Sequence, residues 1–126
     1  PPPNVRLVDY VPLHALAAVS TATINHGGFG SVSTSVAYGL PQVLVVDPRM
    51  FDTHVLARRV AGAGAAVELE AGCSDPEEVR RAVLRVLTDP GPASHAARLR
   101  EAVLAQPSPA DVVARLERLA TGSGPF

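Results

Sequence analysis

An imidazole, three glycines and a hydroxyl fall within eight consecutive residues, Ile24-Asn25-His26-Gly27-Gly28-Phe29-Gly30-Ser31. These residue types suit phosphate binding. The stretch follows an apolar run, residues 22–24, and precedes a segment with helical spacing. The first N–H groups of a helix have no partner inside it, and the helix dipole places partial positive charge there. Gly27, Gly28 and Gly30 let the backbone turn sharply and admit a bulky anion. His26 and Ser31 add side-chain donors. Without that chemistry, glycines after a strand simply make a tight turn, with His26 as a turn residue, and a glycine turn alone is a weak signal.

The elements that must position this stretch are legible in the apolar pattern. Residues 1–4 read as an extended, proline-fixed lead-in. Residues 5–8, 22–24, 42–46 and 66–69 read as short strands, with 42–46 the clearest, bounded by Pro41 and Asp47-Pro48. Helices are expected over 13–18, 31–38 and 53–61, with Gly39 ending the second and Gly62 and Gly64 the third. Asp75-Pro76-Glu77-Glu78 starts an amphipathic helix that Asp89-Pro90-Gly91-Pro92 stops. Further helices are expected over 94–106 and from Ser108. Strands alternating with helices imply an α/β fold, a Rossmann-like parallel sheet with helices on both faces. Ligands of such sheets sit beyond the carboxyl ends of the strands. His26, the glycine turn, residues 47–53 and residues 10–13 all follow strands, so they are expected at one rim.

Composition bounds the function. With 126 residues the chain has room for one compact domain and too little for two. Hydrophobic residues make up 47%, which is globular and not disordered. A net charge of -1 provides no basic field for nucleic acid or an anionic membrane. All 11 basic residues are arginine, a hint of a genome rich in G and C. The single cysteine, Cys73, precludes an internal disulfide and a Cys cluster for zinc, and a reducing, cytoplasmic setting is expected. No apolar run approaches the roughly 20 residues that span a bilayer, and no signal-peptide pattern opens the chain. A start at Pro1-Pro2-Pro3, without Met, suggests a piece of a longer protein.

Other polar residues have plainer readings. Asp52 reads as an N-cap, a role compatible with binding. His14 and His54 read as surface positions and His95 as structural. Asp47 reads as a turn residue and Arg58-Arg59 as a solvated helix face. Cys73 has no neighbouring base in sequence, and Glu77 and Glu78 belong to helix capping.

Taken together, Tyr10-Val11-Pro12, His26-Gly27-Gly28-Phe29-Gly30-Ser31, Gly39-Leu40-Pro41-Gln42, Phe51-Asp52, Ala57-Arg58-Arg59 and Gln106-Pro107-Ser108-Pro109 form a specific motif set. In order and spacing it resembles the nucleotide-sugar-binding C-terminal domain of bacterial GT-B glycosyltransferases. The resemblance is to the type that attaches deoxysugars to macrolides, enediynes and other natural products, and it covers essentially the whole chain. It implies that His26, Gly28, Gly30 and Ser31 hold the donor diphosphate. Tyr10, Val11 and Leu13 would hold the pyrimidine, and Asp52 and Thr53 the donor sugar. It further implies a dTDP-sugar or UDP-sugar donor, inversion without a metal, and a small-molecule acceptor. The acceptor and the catalytic base would be held by an N-terminal domain absent from residues 1–126, so no catalytic residue is expected in this chain. The final helix would pack toward that domain, or its apolar face would drive homodimerisation. Three positions depart from the family pattern: Asn25 stands at the first of two usual histidines, Thr53 at a usual amide, and Thr34 at a ribose-binding Glu of some relatives.

Two other functions stay open on the residues: a nucleotide-sugar or partner-binding module without chemistry, and a dinucleotide oxidoreductase. The second has little support, since the glycine spacing is not Gly-x-Gly-x-x-Gly and only Asp47 could serve as the acidic ribose partner.

Overall fold

A computed structural model describes residues 1–72 and 75–122 of the chain. The expectations for Cys73 lie outside the described residues. The elements run α1 (Leu13–Ala17), β1 (Thr23–Asn25), α2 (Phe29–Ala37), β2 (Gln42–Val46), α3 (Phe51–Gly62), β3 (Ala66–Glu70), α4 (Pro76–Thr88), α5 (Pro90–Leu104) and α6 (Pro109–Ala120). The three strands form a parallel sheet in the order β1-β2-β3. Ile24 sits opposite Val43, and Leu44 opposite Glu68.

The run Val43-Leu44-Val45-Val46 explains why β2 is central. Successive side chains point to opposite faces, so an unbroken apolar run suits a strand covered on both sides. Leu44 and Val46 pack with Val32 of α2, Ala57 and Val60 of α3, and Ala96 of α5. Val43 packs on the other face with Leu69 of β3 and with Ala82 and Val86 of α4. The expected Rossmann-like α/β layering, with helices on both faces, is therefore present. Arg100 of α5 donates from Nε to Ala37 O at 3.0 Å, placing a cation at the C-terminus of α2. Gly39, at φ +67, follows that terminus as expected.

Several boundaries differ from the sequence reading. Residues 5–8 form no strand. Val5, Leu7 and Val8 are exposed. A strand needs a neighbour for its ladder bonds, and β1, at the sheet edge, is paired only with β2. The lead-in also turns instead of extending, with Val5 N–H donating to Pro2 O at 2.9 Å. Helix α3 starts at Phe51 with Met50 as its N-cap, so Asp52 lies inside the first turn and is not the cap. Gly62 belongs to α3, and the stop comes at Gly64, at φ +82. Asp89-Pro90-Gly91-Pro92 ends α4 and also starts α5: the Asp89 carboxylate accepts Gly91 N–H at 2.8 Å, and Pro90 takes the first helical position. Ser108 caps α6 in a reciprocal box with Asp111, and Val112, Val113 and Leu116 of α6 stand exposed.

Candidate functional site

Parallel strands end on one side of the sheet, at Asn25, Val46 and Glu70. The segment 26–28 leaves β1 there, and the segment 47–50 leaves β2. Both lead directly into helices, so the N-termini of α2 and α3 meet at the rim.

Gly27 makes the turn. Its φ of +83 lies in the left-handed region that residues with a Cβ rarely adopt. Space is short as well: a Cβ at Gly27 would lie 3.3 Å from Val46 Cγ2 and 3.5 Å from Thr53 Cβ. The glycine turn therefore rests directly on the end of β2 and the first turn of α3. Gly28 has an ordinary φ of -63, and the reason for glycine there is different. A Cβ at Gly28 would lie 2.5 Å from His26 Nε2 and 2.9 Å from Cε1. The missing side chain lets the exposed imidazole lie across the N-cap of α2, Nε2 edge inward.

Helix α2 begins at Phe29, two residues before the sequence reading, which places Gly30 and Ser31 inside its first turn. No side chain caps this helix and its first turn carries no acidic residue. The N–H groups of Phe29, Gly30 and Ser31 lack intrahelical acceptors by the geometry of a helix start. A Cβ at Gly30 would meet nothing within 4 Å, so the backbone there faces open space. Imidazole, helix-end amides and the Ser31 hydroxyl are thus gathered around one uncapped, electropositive end.

A cleft of about 260 Å³ adjoins it, between α1, β1 and α2, with Leu13, Leu16, Thr23, Asn25, Ser31 and Ser35 among its walls. Leu13 and Ser31 therefore share one cleft. Val11 is half-buried and Tyr10 stands 83% exposed on the segment leading into α1. The pair Asp52-Thr53 splits: Asp52 is exposed, whereas Thr53 is 5% exposed and its hydroxyl donates to Met50 O at 2.9 Å. Thr53 backs the glycine turn, and Asp52 is the member of the pair left on the surface.

The remaining polar residues have assigned places. His54, read from sequence as a solvated position, is half-buried and its Nδ1 lies 3.1 Å from Glu68 Oε1, tying α3 to β3. His95 is half-buried and bonds Gly91 O through Nδ1 at 2.7 Å. His14 is exposed. Asp47 is a turn residue: it accepts Arg49 N–H at 3.0 Å and pairs with the guanidinium at 2.7 Å. The Arg49 side-chain bond, then its backbone bond, hold the Asp47 carboxyl at about 2, below its ordinary 3.8. A native value below the unfolded one stabilises the loop fully above pH 3.8, and that contribution is lost as the pH falls toward 2. An NMR pH titration is expected to show the Arg49 amide and Nε–H resonances moving together over this acid window. Among the described residues, no group of three or more His, Cys, Asp or Glu is arranged to hold a metal ion, and no helix is long and apolar enough to cross a membrane.

The sequence reading named Asn25 and Gln42 but gave neither a role in the site. Asn25 Oδ1 accepts Gly27 N–H at 2.9 Å, and Asn25 Nδ2 donates to Gln42 Oε1 at 3.1 Å. An Asn two residues before a turn glycine is a signature of such local bonding. A glutamine opening the most apolar strand was the other available signal.

Comparison with known proteins bears on this site. Residues 1–119 match the family model described as "Erythromycin biosynthesis protein CIII-like, C-terminal domain". The 3-alpha-mycarosylerythronolide B desosaminyl transferase of Saccharopolyspora erythraea is 46% identical over 96% of this chain, which spans 28% of that protein. Among solved structures, spinosyn forosaminyltransferase SpnP superposes with a TM-score of 0.90 at 33% identity, covering 95% of this chain and 32% of its own. Glycosyltransferase VinC, in complex with DTDP, superposes with a TM-score of 0.88 at 35% identity, covering 95% of this chain and 30% of its own. This chain spans under a third of the length of each of these proteins. With residues 1–119 matched, the chain belongs to the family described as erythromycin biosynthesis protein CIII-like, C-terminal domain.

Proposed function

We propose that residues 1–126 form the donor-binding domain of a glycosyltransferase that moves a sugar from a dTDP-sugar, or a UDP-sugar, to a hydroxyl of a small-molecule natural product. The observation that carries this reading is the His26 ring lying across the uncapped N-terminus of α2 at the carboxyl rim of a parallel sheet. The DTDP complex of VinC and the sugar-transferase relative support it.

In this reading the N–H groups around Gly28, Gly30 and Ser31, the Ser31 hydroxyl and an imidazole N–H of His26 donate to the diphosphate. Tyr10, Val11 and Leu13 flank the pyrimidine, and Asp52 accepts from hydroxyls of the sugar. Thr53, turned inward, backs the Gly27 turn.

The proposed chemistry is a displacement with inversion. The acceptor oxygen forms a bond to the anomeric carbon, and the bond from that carbon to the diphosphate oxygen breaks. The electron pair leaves with the diphosphate, and the acceptor proton passes to a base in an N-terminal domain outside this chain. Charge develops on the departing diphosphate, where helix-end amides and His26 are already oriented to meet it without a metal. The exposed apolar stripe of α6 is the face offered to the acceptor domain.

Calorimetric titration tests the reading. Micromolar binding of thymidine diphosphate is expected, with no binding of NAD. Binding of NAD in preference to both pyrimidine diphosphates would overturn it. Comparing thymidine with uridine diphosphate decides the base.

A further inference from the structure

We infer that Asn25 and Gln42 are positioning residues for the diphosphate site, acting as a side-chain amide relay that holds both ends of the anion-binding segment. The inference rests on the diphosphate reading above.

The relay has three links. Gly27 N–H donates to Asn25 Oδ1 at 2.9 Å, Asn25 Nδ2 donates to Gln42 Oε1 at 3.1 Å, and Gln42 Nε2 donates to Val32 O at 3.4 Å. A backbone donor at one end and a backbone acceptor at the other settle the orientation of both amides. Gly27 and Val32 bracket residues 28–31, whose backbone supplies the anion donors. The relay thus ties each end of that segment to the strands beneath it.

Two facts argue that this bracing is more than filling. Gln42 is 0% exposed, within a strand otherwise entirely apolar. Burying a primary amide is unfavourable unless its polar atoms are bonded, so an apolar residue would be the simpler occupant of a purely structural position. A parallel hydroxyl relay also reaches the same segment from β1. Ser35, 2% exposed, donates from Oγ to Ser31 O at 2.9 Å, and its Oγ lies 2.9 Å from Thr23 Oγ1. With the Ser35 proton committed to Ser31 O, Thr23 is the donor. Directional bonds from both strands fix where α2 stands along its axis, which an apolar seam alone specifies less sharply. Asn25 therefore supplies the local anchor of the turn.

The test uses this chain with Asn25→Ala, Asn25→Ser and Gln42→Met. Asn25→Ala removes both bonds of the first residue. Asn25→Ser restores an acceptor for Gly27 N–H and leaves Gln42 Oε1 without its Asn25 donor, while Gln42 Nε2 keeps Val32 O. Loss of one hydrogen bond to the turn is expected to weaken thymidine diphosphate about tenfold in Asn25→Ala and about fivefold in Gln42→Met. Asn25→Ser is expected to recover most of the loss. The Gly27 amide proton, read in a 15N-correlated spectrum without ligand, is expected to move upfield in Asn25→Ala and return in Asn25→Ser. A variant that melts earlier yet binds thymidine diphosphate with wild-type affinity would overturn the inference. Should Gln42→Met fail to fold, the Asn25 pair carries the decision, since that residue sits at the half-buried turn. Failure of the wild-type chain to bind thymidine diphosphate would overturn the diphosphate reading itself. The Gly27 amide shift would still report whether Asn25 holds the turn.

Discussion

Replacing His26 with alanine should weaken thymidine diphosphate binding well below that of the wild-type chain. The expected loss is about 1.5–3 kcal/mol, the usual worth of a hydrogen bond to a charged group, or roughly ten- to a hundredfold in affinity. The helix-end amides remain in the variant, so some attraction for the anion survives. The fold should survive as well. His26 is exposed, its ring belongs to neither core cluster, and the β1–α2 turn is made by Gly27 and bonded by Asn25. Calorimetry beside a thermal melt separates the two effects: affinity falls and the melting temperature stays within a few degrees, as expected for a surface change. Unchanged affinity would mean that the imidazole only covers the turn.

Gly28→Ala should be nearly as damaging to binding by a different route. The backbone at Gly28, with φ -63 and ψ 140, suits alanine without strain. Alanine is also a poorer N-cap than glycine, by roughly 0.5–1 kcal/mol. What the methyl group cannot share is the space: its carbon would stand 2.5 Å from His26 Nε2, and the ring must swing off the helix end. Affinity for thymidine diphosphate is expected to drop about tenfold, the loss of one well-placed donor. The double variant His26→Ala with Gly28→Ala should bind no worse than His26→Ala alone, because the ring that the methyl displaces is already gone. Full additivity of the two losses would show that Gly28 acts on the anion and not through the histidine.

Those two expectations show how unevenly the site could be read. That His26, Gly28, Gly30 and Ser31 lie together at a helix start followed from their order in the chain, while residue types alone fitted a plain glycine turn as well as a phosphate site. The distinct job of each glycine did not follow. Gly27 is needed for its positive φ and for contact with Val46 and Thr53, Gly28 for the ring above it, and Gly30 faces open space. Sequence shows all three as the same residue. Asp52 and Thr53 also look like a pair in the chain, yet successive residues of a helix point about 100° apart, so one faces out and the other packs inward.

The strands and helices were legible wherever a local signal closed the question. Residues 42–46 read as a strand and are one, because an unbroken apolar run between Pro41 and Asp47-Pro48 has few other solutions. Asp75-Pro76 starts α4 as expected, since the Asp75 carboxylate accepts Glu78 N–H at 2.7 Å and proline costs nothing in a first turn. Residues 5–8 carry an apolar signal of the same kind and form no strand, because pairing depends on a neighbour and not on the segment's own residues.

By itself, then, the sequence determined the α/β class, the central strand, most helix starts and the residue types gathered at the rim, all properties set by near neighbours along the chain. Tertiary structure alone decided which sheet edges are paired, which face Thr53 takes, and that Asn25 and Gln42 join residues 27 and 32 into one braced segment. These depend on contacts between residues distant in sequence, and no local pattern encodes the distance between Asn25 and Gln42, 17 positions apart.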